Sequence, residues 1–406
     1  MEENVFIQKD ALLEIKPEER VEKMTPFLLE WFHKQARNLP WRTEPKSYYV
    51  WVSEIMLQQT RVEAVKPYFS RFIQTLPDIP ALAKCEEEVL LKLWEGLGYY
   101  NRVRNLQKAA KIIVERYQGE LPADYEELLS LPGVGSYTAG AIASIAYGIP
   151  VPAVDGNVLR VMARLTESYE DITKASTKKQ TEELLKEHMP KMDAGAFNQA
   201  MMEIGAIVCL PNGEPKCREC PIQKFCLAYE HQVVMKLPVK TKKKTRRIEE
   251  ITVFIIRLLE DRDAKLEELN FSRKKKVVLH RRAESGLLAG MYEFPNVSGK
   301  LEEKEAREVL ENWGIEIKSI VPIEEAKHIF SHVEWHMKGY LIETENEWRE
   351  KRLEQKIGMI AENGIFQIKQ ELEWFSVEDI RNEIAIPSAF SAFTKYMDHI
   401  KENKAL

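Results

Sequence analysis

Apolar residues recur at helical spacing through the first half of the chain and at strand spacing after a charged break near residue 240. Phe27, Leu28, Trp31 and Phe32 fall on one helix face. Ile55, Met56, Gln59, Val62, Val65 and Phe69 predict a second helix, and Leu106, Ala109, Ala110, Ile113 and Tyr117 a third. Beyond the break, ITVFIIRLLE and KKVVLHRR alternate and are rich in β-branched residues, which predicts strands. EKEAREVLENWG predicts a helix closed by Gly314, and WHMKGYLIETE a further strand. The stretch from about Asn346 to Gln370 is charged and poorly patterned, and is expected to be a helical or irregular insertion. The pattern predicts an all-α domain followed by a mixed α/β domain.

The break itself is VMKLPVKTKKKTRRIEE. From Lys236 to Arg247 it carries seven basic residues and no acid, and Pro238 interrupts any periodicity. Such a run reads as an exposed linker, or in its last residues as a solvated strand, and it could touch a phosphate backbone. The expected division is residues 1–232, a basic linker over 233–248, and a second domain over 249–400. A chain of 406 residues exceeds one ordinary core, which agrees with two domains. The formal net charge of −5 argues against indiscriminate attraction to nucleic acid, so any such contact must be local. The N-terminus has early acids and no apolar segment, unlike a signal peptide, and no run of eighteen apolar residues occurs. A cytoplasmic, nucleoid-associated protein with no membrane contact is expected.

Chemistry enters with four cysteines in eighteen residues: Cys209, Cys217, Cys220 and Cys226, with only Cys85 elsewhere. Thiolates this close share one centre, and zinc or a [4Fe–4S] cluster are the candidates. The order of a long, a short and a medium gap is not two tight pairs, so ligand spacing favours iron–sulfur. A disulfide framework belongs to small secreted chains.

The string LPGVGSYTAGAI, from Leu131 to Ile142, reads as a helix–hairpin–helix. Gly133 and Gly135 permit a tight turn and close backbone approach, and the helix starting near Ser136 offers free amides to an anion such as a DNA phosphate. A packed helical corner without a ligand is the alternative. Downstream, in VPAVDGNVLRVMARL, Asp155 stands at a loop-to-helix boundary. There it can be an N-cap, or an ionised carboxylate that stabilises a positive sugar.

Together these residues resemble the helix–hairpin–helix DNA glycosylases with an iron–sulfur cluster, over roughly Arg20 to Leu227. The lyase branch of that superfamily has a lysine two residues after G-V-G. Here the position is Tyr137, so the resemblance implies base removal without strand cleavage. WVSEIMLQQTRV, from Trp51 to Val62, is similar to the signature of the MutY-type adenine DNA glycosylases. That resemblance implies that Glu54 protonates N7 of adenine and that Asp155 stabilises or captures the oxocarbenium sugar, with Tyr137 and Asn157 orienting sugar and acid. Apolar neighbours of Glu54 favour a raised pKa. It further implies Arg42 and Glu203 beside a flipped base, and Gln59, Thr60, Leu97 and Tyr99 as residues that wedge the duplex and hold the opposite base. A packed core tyrosine is the alternative for Tyr99. Seven residues separate Cys209 from Cys217 where the family pattern has six, and the loop LPNGEPK should absorb the extra one.

GLLAGMYEFPNVSG followed by EAREVLENWGI resembles a degenerate Nudix domain. Asn312 breaks the glutamate pair that would hold magnesium, so pyrophosphate hydrolysis is not expected. HIFSHVEW resembles the loop by which MutY-type enzymes read 8-oxoguanine, with Phe330 stacking, Ser331 bonding the oxidised purine and His332 steadying the loop; an ordinary strand is the alternative. The expectation is therefore an α-helical glycosylase domain with a [4Fe–4S] cluster, then an α/β Nudix-like domain, acting as a monomer on duplex DNA at adenine opposite 8-oxoguanine or G. The competing expectations are a thymine or uracil mismatch glycosylase and a non-catalytic damage-binding protein.

Overall fold

Pro17 at a helix start, Glu18 and Glu19 in the first turn and His33 and Lys34 in the last match side-chain charge to the helix dipole. They give α1 (Pro17–Gln35), whose Val21, Met24, Leu28 and Phe32 are buried. The structure is a computed structural model and describes residues 15–241, 245–259, 275–345, 347 and 372–398. The predicted insertion over Asn346–Gln370 lies outside the described residues, apart from position 347.

The chain continues through α2 (Pro40–Thr43), α3 (Ser47–Leu57), α4 (Val62–Thr75), α5 (Ile79–Lys84), α6 (Glu87–Trp94) and α7 (Asn101–Tyr117). Then come α8 (Tyr125–Leu129), α9 (Ser136–Tyr147), α10 (Gly156–Leu165), α11 (Ala175–His188), α12 (Ala194–Ile207) and the short α13 (Leu227–Glu230). The second predicted helix is in fact two, α3 and α4. Gln59 takes a left-handed φ of 58° at the break. Arg102 ends α3 by donating from Nη1 to the carbonyls of Ile55, Met56 and Gln58 at 2.8, 3.1 and 2.5 Å, which satisfies a helix C-terminus that periodicity alone cannot locate.

Two compact units divide the chain. One comprises Met1–Cys85 and Asn101–Lys243, the other Glu86–Tyr100 and Lys244–Leu406. The division differs from the expected one in two places. Residues that were expected in the linker pack within the first unit: Leu237 is buried, Ile172 N–H donates to Val239 O at 3.1 Å, and Thr241 N–H to Asp171 Oδ2 at 3.0 Å. Residues 86–100 belong with the second unit, where Lys92 Nζ reaches the carbonyls of Ile380 and Ile384 at 3.0 Å each and Glu95 Oε1 accepts from Ile386 N–H at 2.8 Å.

The first unit is helical throughout. A core of Val21, Met24 and Leu28 from α1, Val161, Met162 and Leu165 from α10, and Phe197, Met201 and Ile204 from α12 joins three helices. Gly205 matters to this packing. A Cβ there would lie 2.6 Å from Asn157 Cβ, so only glycine lets α12 approach the start of α10 this closely.

The second unit holds β1 (Arg247–Leu258), β2 (Lys276–Arg281), β3 (Tyr292–Glu293), β4 (Asn296–Ser298), α14 (Glu303–Asn312), β5 (Ser319–Ile329), β6 (Val333–Thr344), β7 (Leu372–Ser376) and α15 (Val377–Asn382). The sheet order is β3-β2-β1-β6-β5, with β4 on β1 and β7 on β2. β1 and β6 run parallel from Arg247↔Val333 to Leu258↔Thr344, and the other pairs are antiparallel. Alternation along β1 sends Val253 and Ile255 to one core with Phe390 and Phe393, and Phe254 and Ile256 to another with Ala306, Val309 and Leu310 of α14. Among the described residues no helix is long and apolar enough to cross a membrane.

Candidate active site

A cavity of about 650 Å³ in the first unit is lined by Arg42, Glu54, Gln59, Thr60, Gly135, Tyr137, Asp155, Asn157 and Glu203. Nine residues that the sequence placed in one site are therefore gathered around one space, although they come from five separate stretches of chain.

Glu54 sits on α3 among Trp51, Val52, Ile55 and Met56 and is only 6% exposed. Burial pushes its carboxyl up to about 7; the Tyr137 hydrogen bond opposes that shift, the charge of Asp155 adds to it and Arg42 opposes it. Tyr137, in the first turn of α9, points its hydroxyl at Glu54 Oε2, and burial drives its own pKa well above the ordinary phenol value, so it stays a neutral phenol.

Asp155 is the N-cap of α10. Its Oδ1 accepts from the backbone N–H groups of Asn157 and Val158 at 2.9 and 2.8 Å, and its Oδ2 from Asn157 Nδ2 at 2.7 Å. The capping reading and the cavity-facing reading of this residue are thus both true of its geometry. Burial pushes the Asp155 carboxyl up from its ordinary value, while those three bonds and Arg160 hold it down. Asn157 is fixed in turn: its Oδ1 accepts from Arg160 Nη2 at 2.9 Å. Arg160 Nε continues to Cys209 O at 2.8 Å, and Arg164 Nη1 lies 3.2 Å from Cys209 Sγ. An unbroken chain of polar contacts therefore runs from the Asp155 carboxyl to the cysteine loop.

Glu203 is 1% exposed and held by two arginines. Arg37 Nε and Nη2 reach its two oxygens at 2.6 and 3.0 Å, and Arg42 Nη2 reaches Oε2 at 2.9 Å. Burial raises the Glu203 pKa, but these partners outweigh it and the net direction is down, leaving a carboxylate with fixed cations around it. Sequence reasoning missed Arg37, along with Lys178 and Met202, which line the same cavity. An arginine five positions before Arg42 carries no periodic or spacing signal of its own.

The hairpin turn joins α8 to α9. Gly133 has φ +77°, and a Cβ there would meet Asn105 Cβ at 2.8 Å, so the residue must be glycine. Gly135 differs from expectation: its φ of −97° suits any residue, and nothing stands within 4 Å of a Cβ there. Its smallness leaves open space ahead of the amides that start α9.

Cys209, Cys217, Cys220 and Cys226 are all free thiols lining one cavity of about 30 Å³. Burial first, and the neighbouring sulfurs after it, push Cys220 and Cys226 up to about 12. Among the described residues no three His, Cys, Asp or Glu side chains converge as a single bare metal ion requires.

Leu97, Tyr99 and the Phe330–His332 loop lie in the second unit. Leu97 is 7% exposed, which does not suit a free wedge; Tyr99 is 47% exposed with φ 50°, which excludes the packed core tyrosine. Phe330, Ser331 and His332 form the turn between β5 and β6, not a strand. The Phe330 ring packs edge-on against His328 and Trp335 with centroids 4.6 and 4.8 Å away, and Ser331 Oγ lies 3.1 Å from His332 Nδ1, both residues being exposed.

Residues 52–191 match the HhH-GPD superfamily of base excision DNA repair proteins, and residues 269–396 match the NUDIX domain. The adenine DNA glycosylase of Rattus norvegicus is 35% identical over 366 residues, spanning 79% of this chain and 70% of that protein. That of Mus musculus is 33% identical over 417 residues, spanning 92% and 77%. That of Buchnera aphidicola subsp. Acyrthosiphon pisum is 36% identical over 316 residues, spanning 78% and 85%. Among solved structures, a thermostable thymine-DNA glycosylase covers 52% of this chain and 98% of its own at 28% identity, with a TM-score of 0.47. A helix–hairpin–helix glycosylase fold with Glu54 and Asp155 on one cavity, followed by a Nudix-like sheet, places the chain among the base-excision enzymes, and it belongs to the adenine DNA glycosylases.

Proposed function

We propose that the protein hydrolyses the N-glycosidic bond of adenine paired with 8-oxoguanine, and with G, and leaves the strand uncut. The observation that carries this is the pairing of Glu54, raised to about 7, with Asp155 in one cavity, beside a tyrosine where a lyase would need an amine. Protonated Glu54 donates to N7 as the N9–C1′ bond breaks, so the bonding electrons leave with a neutral base. Asp155, aligned by Asn157, faces the positive sugar; water adds to C1′ and its proton returns to the Glu54 carboxylate, which restores the acid. Arg42 and Glu203 form the wall against the flipped base, and Gln59, Thr60 and the exposed Tyr99 serve the duplex. The Gly133–Gly135 turn presents the α9 amides to a phosphate.

The four cysteines fit a [4Fe–4S] cluster. Four thiolates this close would repel one another and lose solvation, which a cationic centre offsets, and the cavity the cysteines share is where one would sit. Such a cluster would tie the loop from Cys209 to Cys226 and, through Arg160 and Arg164, brace α10. The partner base is read by Phe330, Ser331 and His332, because adenine itself is a normal base and selectivity has to come from what lies opposite.

The test is single-turnover cleavage of a duplex with one central A opposite 8-oxoguanine, with and without alkali. Breaks only after alkali are expected. Breaks without alkali would refute the absence of lyase action, and cleavage of T opposite G in preference to A would refute the adenine reading. Tight binding with no base loss would favour a damage sensor. Within the same assay, Ser331→Ala should narrow the preference for 8-oxoguanine over G by roughly 5- to 10-fold, the worth of one neutral hydrogen bond, with the A:G rate unchanged. An unaltered ratio would remove Ser331 from the readout.

A further inference from the structure

Met202 stands on α12 beside Glu203 and lines the active-site cavity, and its Sδ is 3.1 Å from Tyr137 Oη. The same hydroxyl meets Glu54 Oε2. A phenol has one proton and cannot donate to both. When Glu54 is ionised, the proton points to the carboxylate and the sulfur receives nothing. When Glu54 is protonated and donates to the phenol oxygen, the phenolic proton must turn elsewhere, and the thioether is the acceptor in place. We propose that Met202 is a positioning residue for the acid: its sulfur accepts a hydrogen bond from the Tyr137 hydroxyl when Glu54 is protonated, and so favours the protonated form from which the proton passes to the base. The inference rests on the acid role given to Glu54 above.

Other charges also face Glu54. Asp155 ahead of α10 favours its protonated form and Arg42 on α2 opposes it. Arg37 and Arg42 are neutralised in part by Glu203 of α12, Arg102 of α7 is engaged on the α3 carbonyls, and Lys178 of α11 lines the cavity while bonded to Ser136 Oγ at 2.9 Å. Met202 is a partner in none of these bonds, so its sulfur can be tested by itself.

The experiment is the single-turnover rate on the A:8-oxoguanine duplex across pH for Met202→Leu and Met202→Gln. Leucine keeps the bulk and removes the acceptor; the midpoint of the high-pH decline should fall by about half to one pH unit, with little change at low pH. Glutamine supplies a stronger acceptor and should hold or raise that midpoint. In a Tyr137→Phe background the leucine substitution should have no further effect on the profile. Equal midpoints in all three proteins would overturn the inference, as would a rate loss uniform across pH that persists without the phenol. Full activity of Glu54→Gln would overturn the acid reading and this inference with it, whereas an inactive Glu54→Gln beside an unmoved Met202→Leu profile overturns this inference alone.

Discussion

Glu54→Gln should lower the single-turnover rate of adenine release by on the order of 10²–10⁴-fold, the usual contribution of a positioned general acid, while duplex binding stays near wild type. Glutamine keeps the shape and can still accept from Tyr137, so the loss isolates the proton. The pH dependence has a definite sign. The acid works only when protonated, and its carboxyl sits at about 7, so activity should decline as pH rises through that value and recover below it. Asp155 works only when ionised, and burial moves its pKa upward, so the low-pH limb should lie above that of an ordinary aspartate. The two groups share a cavity and feel one another, so the two limbs belong to the pair. A flat profile through neutral pH would remove Glu54 from the acid role.

Asp155→Asn should cost about as much, on the order of 10³-fold, by deleting the negative charge opposite the sugar cation. Its effect on folding should be small. Asparagine caps a helix as well as aspartate does, and it can still accept at Oδ1 from Asn157 and Val158. The melting temperature should therefore stay within a few degrees while catalysis collapses, and Asp155→Ala should lose both. A large fall in melting temperature for the asparagine variant would mean that the carboxylate is chiefly a structural brace.

Short motifs carried most of the site, because their chemistry is local. Glu54, Tyr137 and Asp155 were legible from WVSEIML, GVGSY and VDGNV, and the structure gathers them at one cavity. What stayed hidden depends on contacts distant in sequence. Arg37 reaches Glu203 across 166 positions, and no pattern within a single stretch signals such a pair. The break between α3 and α4 was hidden for a related reason, since a helix end set by Arg102 leaves an amphipathic pattern that simply continues. Strands in the second unit were easier to read, as alternation along β1 reports both faces of the sheet at once. The linker was overestimated because basic composition suggests exposure, whereas Leu237 and Thr241 have partners that composition cannot reveal.

The grouping of Glu86–Tyr100 with the second unit bears on how this protein can be cut and recombined. The chain passes between units at Cys85/Glu86, at Tyr100/Asn101 and at Lys243/Lys244, so a single break after Lys243 severs one covalent connection of three. A fragment starting there would leave the carbonyls of Ile380 and Ile384 without Lys92, and the amide of Ile386 without Glu95. Exchange of C-terminal halves between relatives would likewise pair a borrowed sheet with a resident strip of fifteen residues that it did not evolve beside. Inheritance in this architecture is therefore not modular at the basic run, and a functional chimera should require the donor's 86–100 strip to travel with its C-terminal sheet.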